Sequence, residues 1–125
     1  METVKKKILV LEDEKPLARA LELKLIHEGF DVKTASNGEN VIDFLGKEAF
    51  SLIVCDMLMP KFDGFQVLEV LKENKIKIPV IVLTNLSQAE DEKRVREMGA
   101  VDFLIKSDTP IADVVNRVKE KVGGL

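Results

Sequence analysis

Three stretches of the chain, residues 8–11 (ILVL), 52–55 (LIVC) and 80–83 (VIVL), are continuously apolar and only four residues long. A strand with one face in water alternates, whereas a strand covered on both faces does not. Between these runs lie amphipathic stretches of helix length, the crossovers that neighbouring parallel strands require. The three runs therefore predict the centre of a parallel sheet with helices on both sides. Residues 30–35 alternate, Phe30, Val32 and Thr34 against Asp31 and Lys33, and residues 102–106 are short and bounded by charge. Both are expected at the edges, which gives an α/β layered fold of five strands and five helices.

Each helix is expected to carry its own boundary signal. Pro16 suits a first turn, Leu17, Leu21 and Leu25 follow on one face, and Gly29 is placed to end the helix in a left-handed cap. Ser36 with Glu39, and Ser87 with Glu90, match the S-x-x-E capping box. Asp63 can cap a helix beginning at Gly64, and Thr109 before Pro110 opens the last one, with Ile111, Val114, Val115, Val118 and Val122 as its stripe. The helix after Ser87 has little apolar surface beyond Ala89, Val95 and Met98, so loose anchoring is expected of it.

At 125 residues, with 46% hydrophobic and 33% charged residues, the chain is expected to form one domain over 1–125. No apolar run approaches the roughly 20 residues that span a bilayer, and acids follow the first strand where a signal peptide would remain apolar. A cytoplasmic domain without membrane insertion is expected. Net charge is −3 and the basic residues are interleaved with acids, so direct nucleic-acid binding is not expected. Lys5, Lys6 and Lys7 are taken as a solvated strand entry. Cys55 and His27 are the only residues of their types, so any metal must be held by oxygen. Cys55 is taken as a small buried residue, with oxidation the alternative its place before Asp56 leaves open, and His27 as a favourable charge at a helix C-terminus.

In a parallel sheet the residues just past the strand ends meet along one edge, where ligands of such folds bind. Here they are Glu12, Asp13 and Glu14, then Asp56, Thr84 and Lys106. Glu12, Asp13 and Asp56 would repel one another if brought together. Lys106 supplies one positive charge and a divalent cation two, which balances three carboxylates. An acidic, all-oxygen site suits Mg²⁺, with Mn²⁺ able to substitute. Cation, ammonium and hydroxyl together describe a phosphoryl site, in which Asp56 is the natural nucleophile and an acyl phosphate the product.

The segments VLEDE, IVCDMLMPKFDG around Asp56, VLTN at Thr84 and GAVDFLIK ending in Lys106 follow one another in an order that closely resembles the receiver domain of two-component response regulators. The resemblance runs from about residue 8 to residue 122. It implies a flavodoxin-like, doubly wound sheet in the order 2-1-3-4-5. It implies that Asp56 accepts phosphate from a sensor histidine kinase or a phosphotransfer protein. Glu12 and Asp13 match the acidic pair that helps bind Mg²⁺, with the Met57 main-chain carbonyl as a further ligand. Thr84 matches the switch hydroxyl, Lys106 the phosphate-binding lysine and Phe103 the aromatic switch position, while Pro60 and Gly64 match the loop after the phosphorylated aspartate. The expected output is a changed partner-binding face made of helix 4, strand 5 and helix 5, acting on a separate protein target from a monomer or a phosphorylation-linked homodimer.

The pattern departs from the family at two places. Ser107 follows Lys106 where proline across a cis bond is common, so the bond is either trans with a shifted loop or cis at a cost of about 2.5–4 kcal/mol. Glu12 replaces an aspartate and favours metal contact through water. Leu58 and Leu86, two positions past Asp56 and Thr84, cannot orient a hydrolytic water, which predicts a long-lived phosphoryl group. Two other readings compete. A haloacid-dehalogenase-like phosphatase also uses aspartate, threonine and lysine around Mg²⁺, but places a second aspartate where Leu58 stands. A receiver-like scaffold that is never phosphorylated is the other.

Overall fold

The computed structural model describes residues 5–123. The chain alternates β1 (Lys7–Leu11), α1 (Lys15–His27), β2 (Asp31–Ala35), α2 (Val41–Lys47), β3 (Leu52–Cys55), α3 (Gly64–Glu73), β4 (Val80–Thr84), α4 (Ala89–Glu97), β5 (Asp102–Ile105) and α5 (Ile111–Lys121), with a single 3₁₀ turn at Lys106–Asp108. All strand pairs are parallel, and the sheet order is β2-β1-β3-β4-β5. The three apolar runs occupy the centre and the two charged runs the edges, as expected.

The sheet separates two cores. One holds Leu9, Leu11, Ile53, Cys55 and Val82 against α2, α3 and α4, and the other holds Ile8, Val10, Leu52, Ile81 and Leu83 against α1 and α5. Successive strand residues point to opposite faces, so an apolar residue is required at each position. On α5, Val114, Val115 and Val118 are buried and Ile111 and Val122 pack beside them. On α4 only Val95 is fully buried. Polar ties supplement it: the Arg94 guanidinium lies 4.2 Å from the centre of the Phe65 ring, and Arg96 reaches Asp102 at 3.6 Å.

Helix boundaries depart from expectation at several points. Gly29 does end α1 at positive φ, with its N–H donating to the Ile26 carbonyl, and Asp63 forms a reciprocal capping box with Gln66. Neither S-x-x-E box forms. Asn37 Oδ1 accepts the Glu39 N–H at 2.7 Å, which makes residues 37–39 a side-chain turn and delays α2 to Val41. The α4 N-cap is Gln88, without a side-chain cap. Pro110 caps α5, while the Thr109 hydroxyl donates back to the Ile105 carbonyl.

Candidate functional site

The C-terminal ends of β1, β3, β4 and β5 bring the expected set to one edge of the sheet. Leu11 pairs with Cys55, so Glu12 and Asp56 leave adjacent strands side by side; the Asp56 N–H donates to the Leu11 carbonyl and the Glu12 N–H to the Ala35 carbonyl. Glu12, Asp13 and Asp56 each offer a carboxylate oxygen, and these atoms lie within 4.8 Å of one another. Glu12 and Asp56 are buried, at 4% and 3% exposure, and Asp13 is half-buried. The Met57 carbonyl at the same bend accepts the Gly64 N–H at 3.2 Å and retains a second lone pair. These are hard oxygen donors, so the residues present fit Mg²⁺ or Mn²⁺.

Lys106 reaches the cluster. Its Nζ donates to Asp56 Oδ2 at 2.6 Å, to Glu12 Oε2 at 2.9 Å and to Glu14 Oε2 at 2.5 Å. The peptide bonds of the described residues are all trans, the bond before Ser107 included. The loop turns through its 3₁₀ segment instead, with the Ser107 N–H donating to Asn85 Oδ1 at 3.2 Å. The second Asp56 oxygen accepts the Leu58 N–H at 3.1 Å.

Thr84 is fully buried at the end of β4, where its hydroxyl oxygen is the acceptor for the Leu86 N–H at a long 3.5 Å. So weak a bond leaves the side chain little to give up on turning. Phe103 is half-buried on β5 and packs against the core that also contains Val95 of α4. Cys55 is fully buried, as read from the sequence, and burial pushes its thiol well above the usual range, which disfavours the reactive thiolate. His27 lies in the last turn of α1, as expected.

Two participants escaped the sequence reading. Glu14 stood among the acids after β1 without a role, yet its carboxylate holds Lys106. Asp102, which opens the edge strand and was given no role, is buried and accepts from Arg117 at 2.5 Å, joining β5 to α5 as Arg96 joins it to α4. Two arginines fifteen and six positions away carry no local signal of this contact.

Burial pushes the Glu12 carboxyl up to about 7; the Glu14 N–H and the Lys106 ammonium oppose the rise, and the Asp56 charge adds to it. Burial alone would lower the Lys106 ammonium, but its bonds to Asp56, Glu14 and Glu12 outweigh that and hold it above its ordinary value. Between pH 4.5 and about 7 the native Glu12 therefore binds a proton that the unfolded chain has released. Native-state stability from this group is present below pH 4.5 and is lost as pH rises through about 7. We expect metal-free protein to lose about 2–3 kcal/mol across that window relative to Glu12→Gln, measured by urea denaturation at pH 5 and pH 7.5. Equal pH slopes in the two chains would contradict the burial argument.

A cleft of about 540 Å³, lined by Leu68, Leu71, Ile76, Pro79 and Met98 among others, opens at the opposite edge of the sheet, away from the carboxylates. Among the described residues no helix is long and apolar enough to cross a membrane.

The chain matches the family model of the response regulator receiver domain over residues 8–119. It is 42% identical over 110 residues to a probable transcriptional regulator, ycf27, of Porphyra purpurea, covering 88% of this chain and 45% of that protein. It is 38% identical over 114 residues to the alkaline phosphatase synthesis transcriptional regulatory protein PhoP of Bacillus subtilis, covering 91% and 47%. The chain thus spans less than half the length of these relatives. Among solved structures it resembles the receiver domain of the Francisella response regulator 1452 (TM-score 0.88, 29% identity, 94% and 97% of the two chains covered). It also resembles the BeF₃-activated DrrB receiver domain (TM-score 0.82, 28% identity, 95% and 98% covered). Neither the phosphatase nor the scaffold reading is favoured by these likenesses, and Leu58, 52% exposed, offers no acid or base. The fold order, the edge cluster and the match over residues 8–119 agree: this chain belongs to the response regulator receiver domain family.

Proposed function

We propose that Asp56 accepts a phosphoryl group from a phosphohistidine of a sensor histidine kinase or phosphotransfer protein, and that the domain answers by reshaping the face made of α4, β5 and α5. The observation that carries this is Asp56 itself, a buried carboxylate held between an ammonium at 2.6 Å and a backbone N–H at 3.1 Å. An Asp56 oxygen attacks phosphorus, the new O–P bond forms as the P–N bond breaks, and the electron pair leaves with the imidazole nitrogen. Asp13, Asp56 and the Met57 carbonyl, with Glu12 beside them, would hold Mg²⁺, which when bound would supply positive charge to the phosphoryl oxygens. Lys106 holds one of those oxygens, and the Thr84 hydroxyl, weakly tied, turns to another.

Movement of Thr84 opens space toward Phe103, and α4, held by one fully buried side chain and by arginine contacts, shifts with it. The relatives are named as transcriptional regulators. Direct nucleic-acid binding by this chain was not expected; the output is read as passing to a downstream DNA-binding element, which was not anticipated, coupled to the α4-β5-α5 face. The domain works in the cytoplasm, as a monomer or a phosphorylation-linked homodimer.

Incubation with Mg²⁺ and acetyl phosphate is expected to add the mass of one phosphoryl group to the intact chain. The gain is absent from Asp56→Asn and persists for minutes to hours after the donor is removed, because Leu58 and Leu86 cannot orient water. A folded wild-type chain that gains no phosphate would refute the assignment of Asp56, and loss within seconds would refute the role given to the leucines.

A further inference from the structure

An ammonium has three N–H groups, and in Lys106 all three are taken, by Asp56, Glu12 and Glu14. No donor is left for a phosphoryl oxygen, so one carboxylate must let go before Lys106 can hold phosphate. The three are not equivalent. Glu12 and Asp56 side chains are 2% and 3% exposed, and Glu12 is further fixed by the Glu14 N–H at 3.0 Å. The Glu14 side chain is 58% exposed and can return to water. An exposed ion pair contributes little, so Glu14 is the partner most readily displaced.

The local structure points the same way. Glu14 is the N-cap residue of α1, with extended backbone, yet its side chain makes no cap bond to the helix. The side chains that cap well, Ser, Thr, Asp and Asn, accept an N–H of the first turn, and glutamate is not among them. Here the carboxylate reaches across to Lys106 on the far side of the sheet edge, while its backbone N–H separately secures Glu12.

We propose that Glu14 is a displaceable clamp: a positioning residue that parks Lys106 in the unphosphorylated domain and competes with the phosphoryl group for its third N–H. The proposal rests on the reading of Asp56 as phosphoryl acceptor. In this role Glu14 sets the balance between the free and the phosphorylated states without touching the phosphate.

The test measures beryllofluoride affinity by calorimetry, and the rate of phosphate gain from acetyl phosphate by intact mass, in Mg²⁺. Glu14→Gln is expected to bind beryllofluoride up to about fivefold more tightly and to gain phosphate faster, the factor an exposed ion pair corresponds to. Glu14→Ser frees Lys106 in the same way while providing a preferred helix cap, so the same gain is expected from a chain at least as stable. In a Lys106→Met background both substitutions are expected to leave the affinity unchanged. Unaltered or weaker binding in the Lys106 chains would overturn the clamp. A gain that persisted in the Lys106→Met background would overturn it as well, by assigning the effect to rim charge alone. Failure of the wild-type chain to bind beryllofluoride or gain phosphate would bring down the Asp56 reading, and the clamp with it.

Discussion

Gly64→Ala is expected to lower stability by about 3 kcal/mol and to slow phosphate gain at Asp56. A Cβ on Gly64 would lie 2.2 Å from Met57 Cε, 2.4 Å from the Asp56 carbonyl oxygen and 2.7 Å from Met57 Cα. Met57 is fully buried, so its methyl has little room to yield, and the other two atoms belong to the backbone of the acceptor loop itself. Relief requires the first turn of α3 to draw away from residues 56–57, which stretches the Gly64 N–H to Met57 carbonyl bond of 3.2 Å and strains the Asp63–Gln66 box beside it. Overpacking and a weakened hydrogen bond act together, at the residues that place Asp56. Gly46 is the control: it lies within α2, nothing stands within 4 Å of its would-be Cβ, and alanine there should stabilise by up to about 1 kcal/mol. Urea midpoints of the two variants should move in opposite directions, and an unchanged midpoint for Gly64→Ala would refute the close-approach argument.

The same crowding explains why some boundaries were illegible. The strands could be read because burial on both faces leaves no choice of residue type, and a run such as LIVC has no other use in a chain of this size. The Ser36–Glu39 box failed because its energy is local and small, whereas this segment is held from a distance: the Gly38 N–H donates to the Phe62 carbonyl at 3.0 Å, and a Cβ there would meet Val67 at 2.2 Å. Gly38 is needed for that approach to α3, and a helix turn at 36–39 is excluded by it. The box that did form, Asp63 with Gln66, lies where the tertiary contact and the local preference coincide.

The site was more legible than the helix ends, for a topological reason. In a parallel sheet a residue that ends an apolar run is delivered to one edge whatever the loops do, so Glu12, Asp13, Asp56, Thr84 and Lys106 could be grouped without knowing a single distance. What topology does not specify is which carboxylates a lysine selects. Glu14 is one residue further along the loop, and only the extended backbone at that N-cap directs its side chain to Lys106. Asp102 drew no role for a related reason: its partners come from α4 and α5, elements whose rotation about their axes the apolar stripe fixes only coarsely.

Lys106→Met should have the largest effect on the metal-free protein, and the size of its destabilisation depends on pH. Among the described residues Lys106 is the one cation within bonding distance of Glu12, Glu14 and Asp56, and its side chain is only 10% exposed. Methionine retains the volume and removes the charge, leaving two buried carboxylates and Asp13 beside them without a counter-charge. Breaking one partner out of a buried ionic cluster costs about 3–5 kcal/mol, and the exposed Glu14 arm does not share that cost. The carboxylates can escape it by binding protons, so in the variant the native state holds more protons than the unfolded chain well above the ordinary carboxylate range. Stability of Lys106→Met should therefore fall steeply from pH 5 to pH 8 by about 3 kcal/mol relative to wild type. Mg²⁺ should restore part of the loss at pH 8, and more in the variant than in wild type, because a divalent cation then supplies the only positive charge at the cluster. Urea titrations at both pH values, with and without Mg²⁺, give the four differences needed. A loss equal at pH 5 and pH 8 would mean that Lys106 contributes packing alone, and would remove the electrostatic basis on which Glu12, Asp13 and Asp56 are held together.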